Sequence, residues 1–129
     1  GMMRAFSDEA YETMTQRIQE MAEGIAAGYG CHAEVVFRHM YRVVDNDATL
    51  VKLLQEVAGA DYMETPPYML AEDFSLYLSE VPGMFFFLGS GNEARGYVHP
   101  LHSAQFQFEE AILCDGVRLY AALLEKLQQ

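Results

Sequence analysis

The sequence predicts a mixed fold, α/β or α+β, and three observations carry that prediction. Apolar residues recur at helical spacing in four separate stretches; residues 33–42 alternate with period two; and Met84-Phe85-Phe86-Phe87-Leu88 is apolar without interruption. Helical stripes alternating with strand-like runs call for helices packed on a sheet. With 51% apolar residues and no low-complexity tract, the 129-residue chain has the composition of a folded protein.

Taken in order, Gly1 ahead of Met2 and Met3 reads as a tag remnant, and residues 2–6 form a short apolar run expected to be a strand. Ser7 and Asp8 then cap a helix whose residues Met14, Ile18, Met21 and Ile25 share one face, with Asp8, Glu9 and Glu12 at its positive end and Gly28 and Gly30 closing it. Residues 33–42 read as a half-covered strand with Val35, Phe37, His39 and Tyr41 on one side. His39 is expected to be a sheet histidine.

Asp45-Asn46-Asp47 forms a turn and N-cap, and Leu50, Leu53, Leu54 and Val57 mark the next helix, which Gly59 stops. Pro66-Pro67 marks a loop or edge strand. Phe74, Tyr77, Leu78 and Val81 then mark a short helix broken by Pro82-Gly83, with Glu72 and Asp73 at its start, where carboxylates cap and offset the helix dipole. The run at 84–88 suits a strand covered on both faces, and Gly89-Ser90-Gly91-Asn92 turns the chain. A last helix begins near Glu109, with Leu113, Val117, Tyr120, Leu124 and Leu127 as its packing face.

Composition excludes several classes of function. A formal net charge of -11 repels nucleic acid and anionic membranes, and no apolar run reaches the roughly 18 residues of a membrane helix. With no secretory leader apparent, a cytoplasmic location is expected. Cys31 and Cys114 lack metal-ligand or disulfide spacing and are expected to be small buried hydrophobes.

The chemistry-bearing stretch is Gly96-Tyr97-Val98-His99-Pro100-Leu101-His102-Ser103, in which two imidazoles three residues apart can turn toward one cation. A pair alone falls short of the three protein ligands of a catalytic zinc. Ala71-Glu72-Asp73-Phe74-Ser75, then Val81-Pro82-Gly83-Met84-Phe85-Phe86-Phe87-Leu88-Gly89, then Leu101-His102-Ser103 with Phe106 extend the pattern. In order and spacing these blocks resemble the zinc-dependent aminoacylase and hippurate hydrolase family of metallopeptidases, in its N-acyl-amino-acid amidohydrolase branch.

The resemblance implies the C-terminal part of the family's architecture: residues 2–45 as the second half of a ferredoxin-like lid, or dimerisation, domain, and residues 46–129 as the end of the α/β catalytic domain. In that family a metal-bound water, activated by a carboxylate base, attacks an amide carbonyl. The resemblance makes His102 a metal ligand and puts Glu72 where it can support the site from behind the ligands; His99, which the family pattern does not demand, is a further candidate support, with packing or hydrogen bonding its expected role. Ala104 stands where the family often has Pro. The family's Cys-x-His pair, adjacent glutamates and further His have no match here, so no catalytic residue is assigned within the chain.

These readings imply a fragment of a metal-dependent amidohydrolase for N-acyl amino acids or similar small amides. Its divalent metal, zinc or manganese in the family, is expected to be absent or weakly bound, and the chain alone inactive. A homodimer and an upstream partner chain are the expected partners, with no nucleic acid and no membrane. The alternative is a non-catalytic, self-associating or partner-binding module derived from that family.

Overall fold

A computed structural model describes residues 1–128. Among these residues the regular structure consists of four α-helices, α1 (Asp8–Gly28), α2 (Ala48–Ala58), α3 (Ser75–Leu78) and α4 (Ile112–Leu127), with single 3-10 turns at Gly59–Asp61 and Glu93–Arg95. The chain divides into two compact units, one of Gly1–Asn46 with Thr65–Gly83, the other of Asp47–Glu64 with the chain from Met84 onward.

In the first unit the Ser7 hydroxyl accepts a hydrogen bond from the Ala10 N–H at 3.1 Å, the expected cap of α1. The helix is half-covered along Tyr11, Met14, Thr15, Ala22 and Ala26, while Ile18, Met21 and Ile25 are exposed. Residues 33–42 lie against it through His39, whose ring stacks on Tyr11 with centroids 4.2 Å apart. His39 therefore serves packing.

Ser75 is the one fully buried polar residue among those described, at 0% exposure, and its hydroxyl accepts the Arg42 N–H at 3.1 Å. A buried hydroxyl needs such a partner, and a buried backbone donor equally needs its acceptor. The bond ties residues 65–83 to the end of the 33–42 segment within this unit. Phe74 caps α3 without any side-chain hydrogen bond, so neither Glu72 nor Asp73 acts as the cap. Gly83 sits in close packing: a Cβ there would stand 2.6 Å from the tip of Leu78 and 3.3 Å from the Phe74 ring, so the Leu78 side chain would have to move.

The second unit is built on α2 and α4. Asp47 accepts the Thr49 and Leu50 N–H groups at 2.8 and 3.0 Å, and Gly59 closes α2 with φ of 54°, a left-handed value that glycine meets without strain. Leu54 on α2 and Leu123 on α4 form the core, each 6% exposed. Gly116 brings α4 close to Leu88, whose tip would lie 3.1 Å from an added Cβ.

Four expectations need correction. Residues 2–6, 33–42 and 84–88 join no ladder, and the β-bridge between Asn92 and Tyr97 is isolated. A strand exists only through its hydrogen-bonded neighbour, and these segments meet none among the described residues. The last helix starts at Ile112, after a turn at Glu110 and Ala111, rather than near Glu109. Its packed side is Ile112, Gly116, Leu119 and Leu123, while the expected face, Leu113, Val117, Tyr120, Leu124 and Leu127, is exposed. Both sets step four, three and four along the helix, and contact with α2 selected the other one. Cys31 and Cys114 are exposed, Cys31 just beyond the end of α1 and Cys114 on the uncovered part of α4.

Candidate metal-ligand loop

The loop between residues 89 and 111, within the second unit, is organised by short-range bonds. Asn92 and Tyr97 exchange backbone hydrogen bonds of 3.0 and 2.9 Å, and the Asn92 side chain also accepts the Arg95 N–H at 3.2 Å. Between them, a 3-10 turn at Glu93–Arg95 ends at Gly96, whose φ of 77° a glycine adopts freely. Arg95 then pairs with Glu109 across the base of the loop. The hydrogen bond Arg95 donates to Glu109, with the charge of that carboxylate, raises the guanidinium pKa above its ordinary value.

Beyond Tyr97 the chain makes two successive turns, with Ser103 N–H bonded to Pro100 O at 3.1 Å and Phe106 N–H to Ser103 O at 3.0 Å. His102 occupies the third position of the first turn with φ of 68°, making it the non-glycine residue with positive φ among those described. That is the geometry a type II turn requires at this position, and it is normally met by Gly or Asn. An L-residue there carries strain of about 1–2 kcal/mol. Observed strain of this kind clusters at functional positions.

Both imidazoles are exposed. His99 lines a cleft of about 500 Å³ with Ser90, Asn92, Tyr97 and Phe106, whereas His102 lies outside that lining. Glu72 belongs to the first compact unit, His99 and His102 to the second. Among the described residues, no group of three or more His, Cys, Asp or Glu could hold a metal ion. The donors present therefore do not fit a complete catalytic metal centre, which takes three protein ligands. Asn92, whose side chain and backbone both fix the loop, was read only as part of a turn; an Asn three residues before an Arg-Gly pair was the available signal.

Residues 6–126 match the peptidase family M20/M25/M40. The chain belongs to this family. It is 34% identical to IAA-amino acid hydrolase ILR1-like 6 of Arabidopsis thaliana over 98% of its own length and 29% of that protein. It is 30% identical to the N-acetyldiaminopimelate deacetylase of Lacticaseibacillus paracasei, over 97% of its own length and 33% of the deacetylase. The crystal structure of Bacillus subtilis YXEP, described as a dinuclear metal binding peptidase from the M20 family, superposes with a TM-score of 0.80 at 30% identity, covering 92% of this chain and 33% of that one. The family expected from the three sequence blocks is thereby established, and the fold is that of an M20 peptidase neighbour. The chain spans about a third of the length of the relatives it matches. No helix among the described residues is long and apolar enough to cross a membrane.

Proposed function

We propose that the chain is the C-terminal part of a cytoplasmic, metal-dependent M20 amidohydrolase acting on N-acyl amino acids or similar small amides, and that alone it does not turn over. Residues 2–45 then belong to the lid or dimerisation domain and 46–129 to the catalytic domain. His102 contributes one ligand to a divalent metal, zinc or manganese, and Glu72 and His99 support it from outside the coordination shell. The remaining ligands and the carboxylate base come from chain that this sequence does not contain.

The observation that carries this proposal is the coincidence of a family match over residues 6–126 with a donor set too small for a metal centre. The test is direct. Purified chain, incubated with zinc or manganese, is assayed on N-acetyl amino acids while bound metal is measured by emission spectroscopy. No turnover and less than one tightly bound metal per chain are expected; hydrolysis by the pure chain would contradict the proposal.

Self-association is favoured as a second reading by one feature of the first unit. Ile18, Met21, Ile25 and Tyr29 form an exposed apolar line on and just beyond α1, with Val36 and Met40 also exposed on the segment that follows. Contiguous apolar exposure of this kind marks interfaces. Sedimentation should then give a dimer at micromolar concentration, and a monomer at high concentration would exclude it.

A further inference from the structure

We infer that Arg95 and Glu109 are positioning residues for His102: their ion pair closes the ends of the loop that carries it and so holds the left-handed turn. This inference rests on the role proposed for His102 above. The strain is what demands a holder, since a non-glycine residue with φ of 68° persists only where the surrounding structure over-determines it. The backbone bonds nearest His102 are short in range: Ser103 N–H to Pro100 O at 3.1 Å, Phe106 N–H to Ser103 O at 3.0 Å, and Gln105 N–H to the Ser103 hydroxyl at 3.1 Å. Turns of this kind open readily in an exposed loop, where water can replace each bond.

The constraint of longer range is the pair at the loop's base. Arg95 and Glu109 lie fourteen residues apart, and their side chains meet. Extended, such a stretch could span about 46–50 Å. His102 stands at its midpoint, seven residues from each end.

Both ends are themselves fixed. The Arg95 N–H is bonded to the carbonyl and to the side chain of Asn92, each at 3.2 Å, and the Glu109 carbonyl accepts the Ile112 N–H at 3.1 Å where α4 begins. The guanidinium also meets the Tyr97 side chain through hydrogen bonding and charge. Tyr97 lines the same cleft as His99 and Phe106, and Phe106 reaches Phe108, beside Glu109, with ring centroids 5.7 Å apart. Arg95 thus ties the outgoing limb of the loop to the returning one. The two partners are 54% and 46% exposed, and an exposed ion pair shifts an equilibrium by only about two- to fivefold. That is too little to hold a domain together, yet enough to set the population of a strained turn.

The experiment is a double-mutant cycle on the full chain: parent, Arg95→Gln, Glu109→Gln and both together. Two signals are read by NMR, the solvent exchange of the Ser103 N–H that closes the turn, and the intraresidue amide-to-Hα Overhauser effect of His102, which is strong at positive φ. Exchange at the Thr49 and Leu50 N–H groups, on α2, is the control. Each single variant should raise Ser103 exchange about two- to fivefold and weaken the His102 signal, with the control unchanged and the double variant no further displaced than either single one. No change at Ser103 and His102, effects that add in the double variant, or an equal rise at Thr49 and Leu50 overturns the positioning role. Hydrolysis by the chain alone would instead overturn the function proposed above and leave this coupling standing.

Discussion

Replacing His102 tests whether the loop is shaped by folding or by something folding does not require. His102 has φ of 68° in a turn closed by the 3.1 Å bond from Ser103 N–H to Pro100 O. Glycine relieves the left-handed strain of about 1–2 kcal/mol, and gives back about 0.5–1 kcal/mol through the larger entropy of its unfolded chain. The exposed imidazole has no hydrogen bond to another described residue that would be lost. The net expectation for His102→Gly is a gain of about 0.5–1 kcal/mol, near 2–8 °C in melting temperature for a unit of this size.

Alanine keeps the left-handed strain and loses no hydrogen bond, so it should stay within about 0.5 kcal/mol of the parent, while a β-branched valine should cost about 1–2 kcal/mol. The assay is urea unfolding of the four proteins at constant m-value, so that midpoint shifts report stability alone. The expected order is Gly highest, His and Ala close together, and Val lowest. A destabilised glycine variant would refute the left-handed turn. A stabilised one identifies His102 as a residue retained at a cost to the fold, as a metal ligand would be.

Substitutions at Asp47, Ser75, Leu54 and Leu123 probe the supporting structure. Asp47→Ala removes the acceptor of the Thr49 and Leu50 N–H groups and should lower stability by about 1 kcal/mol by urea titration, with Asp47→Ser recovering most of it. Ser75→Ala leaves the Arg42 N–H without its buried acceptor and should cost about 1–3 kcal/mol, accompanied by faster hydrogen exchange at Arg42. Leu54→Ala and Leu123→Ala should each cost about 2–5 kcal/mol in denaturant unfolding, and the double variant should lose less than the sum because both line the same core.

Much of what was legible in the sequence is local. Ser7, Asp47 and Gly59 announce helix ends because a cap depends on a side chain and backbone only a few residues apart, and each acts as expected. The strands were not legible in the same way. Alternation at 33–42 and apolar continuity at 84–88 state a preference for a sheet, but a ladder also requires a neighbour, and no local pattern supplies one. The site shows the same division. Order and spacing around Glu72 and His102 are enough for the family, whereas the left-handed φ of His102 has no counterpart in residue type, since the turn would ordinarily announce itself with Gly or Asn.

Helix α4 shows why periodicity alone misjudged a face. Its sequence carries two apolar stripes of the same spacing, and choosing the one with the larger side chains put Leu113, Val117 and Leu124 inside. Contact with α2 instead goes with the stripe of Ile112, Gly116, Leu119 and Leu123, where Gly116 also admits the tip of Leu88, 3.1 Å from the place an added Cβ would take. The stripe of Leu113, Val117, Tyr120, Leu124 and Leu127, a quarter turn away, is left exposed.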